Sequence, residues 1–195
     1  MKRQDLTELD PVAEPAPRRR RRLLWLLGAL VLVGGSVGVA FATSDDLAKP
    51  DRKTVKLAGA AKIFSLEDVR PGHPQVRLLD FQGKPVVLNF FGSWCPPCLR
   101  EMPDFQAVSE RYHGKVVFIG VTFSDTRPQA EAVLRRTGVT YPAAFDPESK
   151  VALAYGLTGM PTTVFISPKG KLLERAQGEL NERQLEKILE RLYFF

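Results

Sequence analysis

Apolar and polar positions after residue 61 follow two periodicities, which predict a succession of strands and helices. Two nearly continuous apolar runs indicate strands that are buried on both faces of a sheet. The predicted strands lie at 63–66, 76–78, 85–91, 116–121, 143–145, 162–166 and 171–175. The predicted helices cover 96–112, 125–138 and 148–155, with a last helix from Asn181 onward. This alternation, closed by a hairpin and a helix, predicts an α/β layered domain.

The N-terminal part of the chain has a different pattern. Residues 1–22 are polar and end in five consecutive arginines, whereas residues 23–42 contain no charged side chain. A helix of this length crosses a hydrocarbon core of about 30 Å. Basic residues ahead of such a span predict a cytoplasmic N-terminus. We therefore expect a cytoplasmic tail (1–22), a transmembrane anchor in the lipid bilayer (23–42), a polar linker (43–61) and an extracytoplasmic folded domain (62–195).

The uncharged segment has a second interpretation. Ala40-Phe41-Ala42 has the small-x-small pattern of a signal-peptidase site, so the segment could be a cleaved export signal. The uncharged run is longer than the usual apolar core of a signal peptide, which favours a retained signal-anchor. Both interpretations place the folded domain outside the cytoplasm.

Composition and charge exclude several classes of function. The chain has 195 residues and a net charge of +6, and half of that excess comes from residues 1–22. The remainder is nearly balanced and carries no electrostatic footprint for nucleic acid. A zinc site would need a second ligand pair beside the two cysteines, and the two histidines, His73 and His113, are widely separated and in no ligand spacing. We expect neither a metal nor another cofactor.

Both cysteines lie in the motif Cys95-Pro96-Pro97-Cys98, where a buried strand ends and a helix begins. The unpaired N–H groups and the positive dipole of a helix start favour a thiolate at Cys95. Cys98 follows one turn later, close enough to close a disulfide or to resolve a mixed one. A purely structural disulfide would close a very small loop, for which the entropic gain is small. The motif therefore indicates redox catalysis.

Two segments resemble the TlpA/ResA group, which are membrane-anchored members of the thioredoxin superfamily. They read Val86-Val-Leu-Asn-Phe-Phe-Gly-Ser-Trp-Cys-Pro-Pro-Cys-Leu-Arg-Glu-Met-Pro103 and Tyr155-Gly-Leu-Thr-Gly-Met-Pro-Thr-Thr-Val-Phe-Ile166. The resemblance implies a thioredoxin-like fold, with a central mixed sheet flanked by helices and an added N-terminal β-hairpin. It also implies exchange with protein thiol and disulfide clients, often apocytochrome c, and a membrane protein as thiol-electron donor.

The resemblance also implies roles for individual residues. Cys95 is the attacking thiol and Cys98 the resolving one. Pro161 takes the cis-proline position that faces Cys95, and Met160 offers backbone groups to a bound peptide. Trp94 belongs to the same client-binding groove.

A departure from thioredoxin bears on proton transfer. The buried acid of thioredoxin is replaced by Asn89, which cannot exchange a proton at neutral pH. Glu101 or water is then left to deprotonate Cys98, with a solvated helix carboxylate as the alternative interpretation of Glu101. Thr162 is not the acidic residue that follows the cis-proline in one cytochrome-maturation branch.

Two other functions use related folds. A thiol peroxidase needs a Thr and a Pro arranged before its cysteine, and Ser93-Trp94-Cys95 does not supply them. Copper-handling relatives use a wider cysteine spacing and a distal histidine.

The residues between the two cysteines predict the direction of the reaction. The two prolines of the motif provide neither a charge nor an N–H donor to stabilise a thiolate, so we expect a reductant rather than a strong oxidant.

Overall fold

The computed structural model describes residues 54–194, and within them eight strands and four α-helices alternate. In chain order the strands are β1 (Thr54–Lys56), β2 (Ser65–Leu66), β3 (Val76–Arg77), β4 (Val86–Phe91), β5 (Val117–Thr122), β6 (Ala143–Ala144), β7 (Thr162–Ile166) and β8 (Leu172–Gln177). The helices are α1 (Pro96–Arg111), α2 (Arg127–Thr137), α3 (Lys150–Ala154) and α4 (Glu182–Leu189). A 3-10 turn (Leu78–Phe81) follows β3, and a π-helical turn (Glu190–Phe194) extends α4.

Six of these strands form one mixed sheet in the order β1-β8-β7-β4-β5-β6. β4 is parallel to β5 and antiparallel to β7, and β5 is parallel to β6. β2 and β3 pair with each other as a separate antiparallel hairpin. The predicted α/β layered architecture and the added N-terminal hairpin are confirmed.

Strand β4 lies near the centre of the sheet, and all six of its residues are buried. Its side chains alternate between the two faces, as strand geometry requires. Val87 packs in a cluster with Phe105 of α1, whereas Leu88 packs in a second cluster with Ala152 of α3. A strand covered on both faces has no polar alternation, which explains the continuous apolar run in the sequence.

The last part of the predicted linker (43–61) is not a linker in the structure, because residues from Thr54 onward pair with the sheet. β1 pairs antiparallel with β8, and the amide of Leu57 continues the ladder by donating to Leu173 O at 2.9 Å. Val55 is 46% exposed, so the strand is held by main-chain hydrogen bonds and leaves no apolar pattern. Residues 54–61 therefore belong to the folded domain, and the linker prediction was wrong for them.

The predicted tail (1–22), the predicted span (23–42) and the start of the predicted linker lie outside the described residues. Within residues 54–194, no helix has the length and apolar character needed to cross a membrane.

Candidate active site

Cys95 is the residue that caps the N-terminus of α1. The amide of Cys98 donates to Cys95 Sγ at 3.3 Å, and the two sulfurs form a disulfide. Pro96 and Pro97 have no amide proton, and the amide of Leu99 donates to Cys95 O at 3.2 Å instead. Within residues 54–194, the Cys98 amide is thus the backbone group that donates a hydrogen bond to Cys95 Sγ.

The two cysteines differ in their access to solvent. Cys95 is 3% exposed and Cys98 is fully buried. Cys95 lines a cavity of ≈ 470 Å³, whereas Cys98 is not part of its wall. The other lining residues are Trp94, Pro96, Pro97, Phe123, Leu157, Thr158, Gly159 and Met160. A client that enters this cavity therefore meets the sulfur of Cys95 first.

Trp94 forms an exposed wall of the cavity and is 52% accessible. Its indole N–H donates to Phe123 O at 3.2 Å and to Ser124 O at 3.1 Å. The ring also packs edge-to-face on Phe123, with 6.2 Å between the centroids. A Cβ at Gly92 would lie 2.7 Å from Trp94 Nε1, so the absence of a side chain at Gly92 permits this position of the indole.

Asp125 fixes the loop that precedes Cys95. The Ser93 amide donates to Asp125 Oδ2 at 2.6 Å, and the Ser93 hydroxyl donates to Oδ1 at 2.8 Å. The Thr126 amide also donates to Oδ1, at 2.9 Å. In the sequence, Asp125 stands at the start of the predicted helix 125–138, and its position just after β5, the parallel neighbour of β4, is the signal for this second role. Thr126, which caps α2 by position, makes no side-chain capping bond.

The loop before β7 forms the opposite wall of the cavity. The peptide bond between Met160 and Pro161 is cis, as the resemblance implied. Pro161 is buried, and its carbonyl accepts a hydrogen bond from the Gly178 amide at 2.9 Å. The Thr162 hydroxyl donates to Gly159 O at 2.7 Å. The structure therefore brings Met160 to the cavity that Cys95 lines, although some 65 residues separate them in the chain.

Glu101 is 1% exposed, so the interpretation as a solvated helix carboxylate was wrong. Its Oε1 accepts from Asn89 Nδ2 at 2.8 Å, and its Oε2 accepts from the Leu180 amide at 2.9 Å. The carboxylate is thus fixed between strand β4 and the segment that leads into α4. Its role in proton transfer stays a prediction.

Further polar atoms are buried around this carboxylate. Asn89 and Thr163 are directly paired across β4 and β7. Within the described residues, Asn89 Oδ1, Thr163 Oγ1 and Tyr141 OH have no hydrogen-bond partner. Burial raises the pKa of Tyr141, and the charge of Glu101 raises it further. Buried polar atoms of this kind are usually satisfied by internal water.

Comparison with known proteins identifies relatives over most of the chain. The profile of the Redoxin family matches residues 56–191. The thiol-disulfide oxidoreductase ResA of Oceanobacillus iheyensis is 31% identical over 175 residues, which cover 88% of this chain and 90% of that protein. The thiol-disulfide oxidoreductase ResA of Halalkalibacterium halodurans is 30% identical over 173 residues, covering 88% and 96% of the two chains.

Solved structures share the architecture. A DsbF homologue from Corynebacterium diphtheriae superposes with a TM-score of 0.65 at 26% identity, covering 71% of this chain and 92% of that chain. A thiol:disulfide interchange protein of the thioredoxin family from Chlorobium tepidum superposes with a TM-score of 0.62 at 26% identity, covering 69% and 96%. Both alignments extend over the thioredoxin-like fold. Since the matches span the fold together with the Cys95–Cys98 pair, the chain belongs to the Redoxin family, as a ResA-type thiol–disulfide oxidoreductase of the thioredoxin superfamily.

Proposed function

We propose that this oxidoreductase works outside the cytoplasm as a reductant of protein disulfides, held at the membrane by residues 23–42. The observation that carries the direction is the environment of Cys95 Sγ, where the amide of Cys98 is the recorded backbone donor and two prolines replace the others. A strong oxidant needs a strongly stabilised thiolate at this position. This sulfur lacks that stabilisation, so its disulfide is comparatively hard to reduce.

The catalytic cycle starts from the dithiol. The Cys95 thiolate attacks one sulfur of a client disulfide, forms a mixed disulfide and releases the first client thiolate, which takes up a proton. Cys98 then loses its proton and attacks Cys95 Sγ, which releases the second client thiol. Two electrons pass to the client, and the Cys95–Cys98 disulfide is re-formed, as found in the structure.

Glu101 is the proposed acceptor of the Cys98 proton. It follows Cys98 by one turn of α1, and its carboxylate is buried and held in one orientation by Asn89 and Leu180. Asn89 cannot take the proton itself. It acts as a positioning residue by donating to Glu101 Oε1.

The proposed clients are proteins with an accessible cysteine pair, and apocytochrome c is the client that the resemblance implies. The cavity beside Cys95 is lined mainly by apolar side chains, which suits an extended apolar peptide. Re-reduction is assigned to a membrane protein that supplies two electrons through a thiol pair. Within residues 54–194, no group of three or more His, Cys, Asp or Glu side chains lies close together. Titration with copper, followed by thiol absorbance, separates the alternative of copper handling from redox catalysis.

Trapping of clients tests this function. In a Cys98→Ala variant the mixed disulfide on Cys95 cannot be resolved, so client adducts accumulate and mass spectrometry identifies them. The Cys95→Ala variant is the matched control and should trap none. Adducts with extracytoplasmic cysteine-pair proteins support the proposal. Adducts with cytoplasmic proteins alone, or equal trapping by the two variants, would contradict it.

A further inference from the structure

A shallow apolar groove lies on the domain, away from the active site. It encloses ≈ 210 Å³ and is formed by residues before β2, the 3-10 turn after β3 and the turn between β7 and β8. Two aliphatic side chains in its wall, Ile63 and Leu79, are 66% and 48% exposed. Large aliphatic side chains grouped at one site are a feature of interaction surfaces, whereas single exposed ones are ordinary.

The side chains around this groove carry an excess of positive charge. Two lysines line it, and two more adjoin lining residues in the chain. The four, called here the groove lysines, are Lys62, Lys84, Lys169 and Lys171. All four are exposed, and among residues 54–194 none of them has an ion-pair partner.

Acidic groups do not balance these charges. No Asp or Glu is part of the groove wall. Asp80, which lies between two lining residues in the chain, is already paired with Arg77 Nε at 2.9 Å. The groove therefore combines an aliphatic centre with a rim of lysines that form no ion pair within residues 54–194.

The groove and the active site lie at opposite ends of the same strands. Val86, the first residue of β4, lines the groove, whereas Cys95 follows the last residue of β4. Ile166, at the end of β7, also lines the groove, whereas Met160 precedes the start of β7. Six residues of strand separate the two ends by about 17 Å.

We propose that this groove docks the domain onto an anionic lipid surface, with Ile63 and Leu79 at the headgroup boundary and the groove lysines on the lipid phosphates. Aliphatic side chains surrounded by lysines are the side chains that bind at such a boundary. The inference rests on the proposed anchoring through residues 23–42. That segment ends eleven residues before β1, and eleven extended residues span at most about 40 Å.

Docking by this face has a consequence for the reaction. Because the groove lies at the start of β4 and Cys95 beyond its end, the docked domain presents Cys95 on the side away from the lipid. The docked enzyme is then open to clients in the aqueous space.

The test compares the labelling rates of individual lysines. The full chain is reconstituted in vesicles of phosphatidylcholine, or of phosphatidylcholine with about one third phosphatidylglycerol. An impermeant amine reagent is applied briefly, and mass spectrometry measures each site. Each lysine near an anionic lipid surface strengthens binding to that surface roughly fivefold. We expect the groove lysines to react about fivefold more slowly on the anionic vesicles, with Lys150 and Lys187 unchanged.

Charge reversal supplies the matched variants. The pair Lys84→Glu and Lys169→Glu should abolish the protection of Lys62 and Lys171, whereas the control pair Lys150→Glu and Lys187→Glu should keep it. Raised salt should also abolish the protection, because surface charges are screened. Both variant pairs should reduce a small soluble disulfide at the unaltered rate, since neither touches the active site.

Several outcomes would overturn docking. Equal labelling on both vesicle types excludes the lipid surface as the occupant. Protection that already exists in detergent indicates that the groove is covered by another part of the chain, and protection that rises with protein concentration indicates a second copy. The proposed anchor is tested separately by flotation. If residues 23–42 do not anchor the chain, it will not float with the phosphatidylcholine vesicles. Failure of the proposed reductase is seen as loss of disulfide reduction in the unaltered chain.

Discussion

Cys95 and Cys98 are one helical turn apart, yet their surroundings differ. Cys95 lines the cavity, and its sulfur accepts a hydrogen bond from the Cys98 amide. Cys98 is fully buried in the core cluster. Glu101 lies on the next turn of α1, where its buried carboxylate accepts a hydrogen bond from Asn89 of β4 at 2.8 Å. Access thus belongs to the first cysteine, and Glu101 stays the predicted acceptor of the proton of the second one.

Reaction with an alkylating reagent should distinguish the two thiols. In the reduced protein we expect iodoacetamide to modify Cys95 at least about tenfold faster than Cys98, because only an accessible thiolate reacts. Peptide mass spectrometry at short reaction times measures both rates. The same protein in concentrated urea is the control and should show similar rates. Equal rates in the folded protein would contradict the assigned roles.

Asn89 is predicted to be intolerant of a negative charge. In an Asn89→Asp variant two carboxyl groups would meet at hydrogen-bond distance, so one of them has to hold a proton. We expect the variant to lose roughly 2–4 kcal/mol of unfolding free energy at neutral pH. The folded state then binds more protons than the unfolded state above about pH 4, so the loss should grow as the pH rises through that value.

Urea unfolding at acidic and neutral pH measures this effect. Asn89→Ala is the control, because it removes the same hydrogen bond without adding a charge. Its cost should depend on pH much less than that of Asn89→Asp. If Asn89→Asp is as stable as the unaltered protein at neutral pH, the site around Glu101 tolerates a second charge and the prediction is wrong.

At the scale of elements, the segment after β2 covers the free edge of the sheet at β6. The Val69 amide donates to Ala143 O at 2.6 Å, and the Phe145 amide donates to Glu67 O at 2.9 Å. Asp68 accepts from the Ala143 amide at 3.0 Å and from Arg70 Nε at 2.8 Å. Covering a short edge strand in this way protects it from pairing with another chain.

The Asp68 carboxylate should make the free energy of unfolding depend on pH. Burial alone would raise its pKa, but the hydrogen bonds from Arg70 and from the Ala143 amide outweigh burial and lower it. A folded-state pKa below the unfolded value gives stability that is present above about pH 4 and lost as the pH falls through the folded value. Asp68→Asn should therefore cost roughly 1–3 kcal/mol at neutral pH and much less in acid.

Urea unfolding between acidic and neutral pH checks this expectation. Asp80→Asn is the matched control, because Asp80 forms an exposed ion pair with Arg77, and such pairs contribute about 0–1 kcal/mol. If the two variants respond to pH in the same way, the buried carboxylate does not hold the edge as proposed.

At the scale of the whole molecule, the measurable property is the reduction potential of the Cys95–Cys98 pair. We expect a value nearer the roughly −270 mV of thioredoxin than the roughly −120 mV of a strong oxidant, because the two prolines of the motif supply neither a charge nor an N–H group and the Cys98 amide is the backbone donor at Cys95 Sγ. Equilibration in redox buffers followed by alkylation of free thiols gives the potential. Pro97→His places a cation beside the thiolate and should raise the potential by about 30 mV or more. A native potential near that of the strong oxidant would contradict the proposed direction.

The topology of the full chain is a second expectation at this scale. Arg18–Arg22 precede the uncharged segment 23–42, so the domain should lie on the far side of the membrane. Protease added to cells with a permeabilised outer layer should digest residues 43–195 and leave the N-terminal tail intact. A domain that becomes sensitive only after lysis would place it in the cytoplasm.

Local patterns in the sequence were sufficient for the central strands, the helix starts and the redox motif. The apolar run 85–91 predicts a strand within one residue of β4, since burial on both faces leaves no other composition. Asn181 predicts the start of α4 and forms a capping box with Gln184, because a cap is made by residues close in sequence. The same holds for Cys95 at the start of α1.

The tertiary structure decided what depends on residues far apart in the chain. β1 is held by main-chain bonds to β8 and has no apolar signature, and Asp125 serves the loop before Cys95 across two strands. Glu101 is indistinguishable in sequence from a surface carboxylate, and only the packing of β4 and the segment before α4 buries it. Periodicity reports which face of an element is apolar, but the partner that covers a polar group is set by the path of the whole chain.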